Sequence, residues 1–244
     1  RQEKLTLMQE KKVKGFSLLE LLVVIAIVAT ISAISFTPFQ KWRSDRIVRT
    51  EAMNLSSIIR DIFSQVQRGQ YSFVQFEIIK DSAKYSVSSN GMKTIKFTDL
   101  VRNKYEGDTL KPFHKFETRC AMTDLEWDHQ GSEDENVLTV NEIFIDLDDV
   151  ELGVKDKSKI PDGGGKVCFS KDGTYYSSSG MFLEGTGDDA KPLEELYICS
   201  AKSSATSCTL TDDEPDQENF FKIEWSRFGN VSLKKWGNND WILQ

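Results

Sequence analysis

The sequence predicts an α+β protein, with a long N-terminal transmembrane helix packed on an antiparallel, β-rich globular domain. Three observations carry this expectation. An apolar run from Phe16 to Phe36 is interrupted only by Ser17, Glu20, Thr30, Ser32 and Ser35. Apolar residues then recur at threes and fours as far as Val66, a helical period. From Gln70 onward the period falls to two and β-branched and aromatic residues dominate, which reads as strands.

The first element is a basic leader, residues 1–15. It holds Arg1, Lys4, Lys11, Lys12 and Lys14 against Glu3 and Glu10, and a basic flank keeps to the cytoplasmic side of the helix that follows it. The remainder is expected outside the cytoplasm, in the periplasm of a bacterial cell. Met8 is the expected start, giving a short leader that ends Lys14-Gly15. The membrane helix is assigned to 16–38, since about 20 residues at a rise of roughly 1.5 Å span a bilayer core.

Glu20 falls inside that span, about one turn from its start. An ionised side chain there costs on the order of 2.5 kcal/mol or more without a partner, so an intramembrane acid is a functional candidate. The partner has to be cationic. Cutting after Gly15 supplies one, a free amine on Phe16 that can meet the Glu20 carboxylate of a neighbouring subunit. The alternatives are an ordinary signal anchor that happens to contain a glutamate, or a cleavable secretory signal. Against the latter, the apolar run is too long and no small-x-small site follows it before Pro38.

The series Lys14-Gly15-Phe16-Ser17-Leu18-Leu19-Glu20, running straight into Leu21-Leu22-Val23-Val24-Ile25-Ala26, resembles the prepilin signal of type IV pilins and type II secretion pseudopilins. The resemblance implies a pilin-like fold. It also implies that an inner-membrane prepilin peptidase cuts after Gly15 and methylates Phe16, and that Glu20 serves assembly. The implied partners are that peptidase, sister pilins or pseudopilins in a hetero-oligomeric filament, and an inner-membrane assembly platform.

Residues 39–68 continue the helix as an amphipathic segment through Phe39, Trp42, Ile47, Met53, Leu55, Ile58, Ile59, Ile62, Phe63 and Val66, and Arg68-Gly69 stops it. Pro38 removes one backbone bond, so a kink or local melting is expected there. Residues 69–244 form the β-rich domain. Strands are expected at 71–79, 84–88, 93–100, 113–119, 136–147, 166–170, 193–199, 221–226 and 231–236, with Phe228-Gly229-Asn230 as a hairpin turn.

Further resemblances reach into this region. Arg46, Arg49, Ala52, Leu55, Ile58 and Ile59 followed by Arg68-Gly69-Gln70 are similar to the helix end of H-type minor pseudopilins and FimT-like minor pilins. Phe169-Ser170-Lys171-Asp172-Gly173 and the stretch from Ile223 to Val231 resemble late strands of that family. The span from Asp99 to Gly165 has no counterpart in the resemblance. It implies a minor pseudopilin that supports export of folded proteins. The alternatives are a minor type IV pilin, initiating pili or taking up DNA, and a membrane-anchored extracytoplasmic binding module.

Nothing in the sequence calls for catalysis, a metal or a cofactor. His114 and His129 lie in unrelated contexts, and Gly163-Gly164-Gly165-Lys166 lacks the phosphate-loop spacing. The acidic stretches Asp146-Leu147-Asp148-Asp149 and Asp212–Asp216 match no calcium loop and read as solvated turns. The formal charge is −7, and setting aside the leader's +3 leaves −10 on the rest, which argues against nucleic-acid binding. The nearest basic patch is Lys234-Lys235 beside Trp236 and Trp241.

Four cysteines, Cys120, Cys168, Cys199 and Cys208, lie in the part assigned outside the cytoplasm, where oxidation favours disulfides. Three pairings are possible. The spacing of Cys199 and Cys208 around a polar loop suits a small ring, which leaves Cys120 with Cys168; four buried free thiols is the alternative.

Overall fold

The computed structural model describes residues 16–82, 84–114, 120, 136–146, 148–155, 160, 164–171, 175–177, 182–184, 191–201, 208, 210–211, 214–215, 219–226 and 228–244, some of them, 33–38 included, by backbone alone. One helix, α1, runs from Leu18 to Gln67. The helix is unbroken through Pro38, in place of the melting expected there. It ends as the sequence predicts. Gly69 takes φ +74°, its N–H donates to the Val66 carbonyl (3.1 Å), and the Gln70 N–H donates to the Gln65 carbonyl (3.1 Å). This Schellman pair satisfies carbonyls that a helix end leaves open.

The chain divides into two compact units, one ending at Arg43 and the other Ser44–Gln244. In the first, every large apolar side chain that the structure describes is exposed, from Phe16 to Ile31 and again at Phe39 and Trp42. Among the described residues no helix is long and apolar enough to cross a membrane, and the apolar run described with side chains covers 16–32.

In the second unit the rest of α1 buries Val48, Ala52, Leu55, Ile59, Ile62 and Val66. These positions advance by four and three alternately and so make one stripe. Two five-stranded antiparallel sheets share a core with that stripe. The first holds β1 (Phe73–Lys80), β2 (Lys84–Met92), β3 (Val137–Asp146), β5 (Gly165–Ser170) and β6 (Tyr175–Ser177), in the order β3-β2-β1-β5-β6. The second holds β4 (Val150–Gly153), β7 (Glu195–Ser200), β8 (Phe220–Trp225), β9 (Val231–Gly237) and β10 (Asp240–Leu243), in the order β10-β9-β8-β7-β4. A buried bond ties the sheets, the Tyr85 hydroxyl donating to Glu151 Oε1 at 2.6 Å. Burial and the facing carboxylate both push the Tyr85 hydroxyl well above its ordinary pKa, so it stays a donor.

The strand expected over 93–100 is a helix, α2 (Thr94–Arg102). Ile95 and Phe97 alternate as a strand would, but Phe97 and Leu100, three apart, are the residues that pack on Phe73, Met92 and Phe113, while Ile95 is exposed. The strand expected over 113–119 opens instead on a short 3-10 turn, Pro112–His114, and 115–119 lie outside the described residues. The hairpin at Gly229 has φ +88° and closes with the Ser226 N–H donating to the Asn230 carbonyl at 2.9 Å. Three of these strands went unforeseen, the three-residue β6, β4 and β10. β4 alternates, Val150 and Leu152 lying in the shared core with Glu151 between them, but over only four residues, and β10 returns through Asn238 and Asn239, whose φ of 53° and 58° make a two-residue hairpin turn.

Candidate functional site: the helix start and the outer faces of the sheets

Phe16 and Ser17 precede the helix, and Ser17 caps it. The Glu20 N–H donates to Ser17 Oγ at 3.1 Å, while the Ser17 N–H donates to Glu20 Oε2 at 3.0 Å. The Ser17 carbonyl accepts the first helical bond, from the Leu21 N–H at 3.2 Å. This is a reciprocal capping box, worth about 1 kcal/mol for the cap alone, and it sets a carboxylate on the positive end of the helix dipole. The Ser17-x-x-Glu20 spacing in front of an apolar run was the available signal for it, overlooked beside the charge of Glu20.

The cap uses Oε2 of Glu20, and among the described residues no donor reaches its Oε1. Phe16 is 83% exposed, and Gly15 lies outside the described residues. The other described polar side chains of the apolar half turn back onto their own helix. Thr30 Oγ1 donates to the Ile27 carbonyl at 2.8 Å, and Ser32 Oγ to the Val28 carbonyl at 2.7 Å. Such internal satisfaction lets a polar side chain sit in an apolar solvent.

The cysteines form two bridges. Cys120 pairs with Cys168 (Cα–Cα 5.6 Å) and Cys199 with Cys208 (Cα–Cα 5.7 Å). Each lies on the outer face of a different sheet. Cys168 of β5 sits with Phe73, Met92, Phe113 and Val137, while Cys199 of β7 sits with Tyr197 and Phe220, against which Trp236 and Trp241 pack. The alternation of the strands explains this placement, since Val167 and Phe169 on either side of Cys168, and Ile198 beside Cys199, belong to the shared core.

The basic dipeptide is engaged. Lys234 pairs with Glu224 (2.5 Å), which also holds Lys222 (2.6 Å), and Lys235 pairs with Asp45 of α1 (2.5 Å). Burial pushes the Glu224 carboxyl up, but the two ammonium groups outweigh it and hold the group below the ordinary range. Glu195 faces Glu224 across the β7–β8 ladder; burial raises its carboxyl above the ordinary range despite the hydroxyl of Tyr197, which donates to Oε1 at 2.9 Å. The ring of Trp241 lies under Lys222 Nζ, 4.6 Å away, rather than free for a base.

The acidic stretch at Asp146 is a turn between β3 and β4. The Asp148 N–H donates to Asp146 Oδ1 at 2.9 Å and the Asp149 N–H to the Asp146 carbonyl at 3.3 Å. Of the second acidic stretch, Glu214–Pro215 pair with Leu210–Thr211. His114 Nε2 is 2.7 Å from the Leu100 carbonyl, and His129 lies outside the described residues. Among the described residues no group of three or more His, Cys, Asp and Glu is placed to hold a metal ion.

Compared with curated proteins and with solved structures, the chain matches none. Residues 11–36, which hold Gly15, Phe16 and the Ser17–Glu20 box, match the family described as the prokaryotic N-terminal methylation motif, and that match supports a type IV pilin-like protein.

Proposed function

We propose that the chain is a minor, H-type pseudopilin of type II secretion, a structural subunit without catalytic residues. The prepilin peptidase cuts after Gly15 and methylates Phe16, the apolar half of α1 lies in the inner membrane, and the β-rich unit stands in the periplasm. The subunit docks among sister pseudopilins on an assembly platform and supports export of folded proteins. The observation that carries this reading is the methylation motif over 11–36, set on a helix half whose apolar side chains are exposed. Engagement of Lys234 and Lys235 by carboxylates, with the −10 left beyond the leader, favours a protein-handling subunit over one that takes up DNA.

In assembly, Oε1 of Glu20 takes the methylated amine of a neighbour's Phe16, so that two charges otherwise stranded in the bilayer neutralise each other. The test is a pair of variants in the producing cell. Gly15→Leu should stay at the longer, uncut form on a blot. Glu20→Val should be cut, inserted and stable, yet fail to crosslink to sister subunits or to support secretion. Full processing of the first, or parental secretion by the second, defeats the corresponding step.

A further inference from the structure

We propose that the free edge of strand β3 takes up an extended segment of a protein partner, one that carries a basic residue on either side of an apolar one. The two sheets have four edges, and three of them are short: β6 has three residues, β4 and β10 four each. β3 has ten. It closes one side of the first sheet, and over 137–145 its backbone bonds only to β2 among the described residues. In an antiparallel ladder alternate residues bond the neighbouring strand, so the residues between them turn their N–H and C=O groups outward. Such a row is complementary to another extended chain, and proteins commonly blunt it with proline, lysine, a bulge or a very short edge. β3 contains neither proline nor lysine. Its bulge, where Val140 is an extra residue, lies in the first half, and beyond it 141–146 run in unbroken register with 84–89.

In that regular stretch the side chains alternate. Ile143 and Ile145 turn to the shared core, while Glu142, Phe144 and Asp146 are exposed. Phe144 is 55% exposed and lies in one row with Ser86 of β2 and the exposed Ile79 of β1, an apolar anchor at the edge. Lys84 Nζ stands 3.8 Å from the centre of the Phe144 ring, so its ammonium steadies the ring. Among the described residues no lysine or arginine pairs with Glu142 or Asp146, and the exposed Asp148 follows in the turn. Glu142, Asp146 and Asp148 against Lys84 leave this edge acidic, which selects a basic partner.

A second copy of the chain fits poorly. Two β3 strands pairing antiparallel about Phe144 would set Glu142 of each opposite Asp146 of the other, and like charges directly opposite destabilise a ladder. A strand with lysine or arginine at those two places and an apolar residue between them meets carboxylate, ring and carboxylate in turn. The edge is also held ready. Asn141 Nδ2 donates to Asp61 Oδ2 of α1 at 2.9 Å, and Gln65 Nε2 donates to the same oxygen at 2.8 Å. This bracing fastens the start of the regular stretch to the helix, so little ordering is left for the arrival of a partner. None of this depends on the filament reading.

The full chain in detergent micelles, labelled with nitrogen-15, tests the proposal with the acetylated and amidated heptapeptide Thr-Lys-Val-Tyr-Val-Lys-Thr. Saturable shifts are expected at the backbone amides of 141–146, and alternate amide protons there should exchange about tenfold or more slowly in the complex. The peptide with glutamate in place of both lysines should bind about tenfold or more weakly. So should the lysine peptide to Glu142→Gln/Asp146→Asn, whose unchanged spectrum away from β3 shows that the fold survives. No saturable shift up to about 5 mM overturns the proposal, and so do shifts without slowed exchange, which would mean side-chain contact alone. An equal response to the glutamate peptide overturns it by removing the need for a basic partner. Dimerisation of the free chain that Phe144→Lys reverses overturns it too, since the edge would then belong to a second copy.

Discussion

The two halves of α1 share one backbone geometry and differ in everything their side chains meet. From Leu18 to Ile31 the described apolar residues have no protein contact deep enough to bury them; from Val48 to Val66 one stripe is sealed under two sheets. Both contain Ile, Leu and Val, but the first half carries a single charge, Glu20, where the second carries many, and the partners of the polar residues differ as well. In the second half Asp45, Arg60, Asp61 and Gln65 reach partners on other elements or on their own flank, whereas in the first Ser17, Glu20, Thr30 and Ser32 bond only within their own helix.

Truncation variants break the comparison most directly. Ile62→Ala empties a fully buried site and should cost on the order of 2–5 kcal/mol in the chemical unfolding of the β-rich unit. Ile25→Ala, at 59% exposure, should leave that transition unmoved within error. Equal losses for both would mean that the first half is also held by a protein core.

A second contrast sets the covalent clamp against the packing beneath it. Cys199→Ser/Cys208→Ser opens a ring of about ten residues and should lower stability by roughly 2 to 3 kcal/mol, seen as a shifted urea midpoint. Recovery of both cysteines as free thiols from protein taken out of an oxidising compartment would contradict the pairing itself.

The smallest effect belongs to the charge cluster on the second sheet. Because Glu224 has a lowered folded pKa, its contribution is present above the unfolded carboxylate value and fades as the pH falls through the folded one. Glu195, raised by burial, runs the other way: it adds stability below its unfolded value and loses it as the pH rises through the folded one. Glu224→Gln should therefore cost about 1 kcal/mol near neutrality, since the pair is partly exposed, and nothing at strongly acidic pH. A loss of the same size at both would assign Glu224 a packing role instead.

What the sequence revealed follows from the range of the forces involved. Local signals were legible, among them the stop at Gly69, the Gly229 hairpin and the long strands that alternate between a core face and an outer face. α2 was not, because Ile95 and Phe97 fit a strand locally and only the pocket made by Phe73 and Phe113 selects the helical pairing of Phe97 with Leu100. β4 was hidden because its alternation of Val150, Glu151 and Leu152 spans only four residues beside the acidic turn. Of the site, Phe16 and Glu20 stand out by chemistry alone, while the bracing of Asp61 by Gln65 and Asn141 joins residues 80 positions apart and has no sequence signature.

The order in which the chain visits its sheets has a mechanical outcome. It lays β1, β2 and β3 in one sheet, crosses to the other for β4, returns for β5 and β6, and crosses back for β7 to β10. Neither sheet is a contiguous stretch of chain, so neither can peel away while the other stays closed. Amide protons at Ile78 in one sheet and Ile198 in the other should exchange through the same global opening, with one shared free energy, and a protease should find no cut that releases half the domain intact.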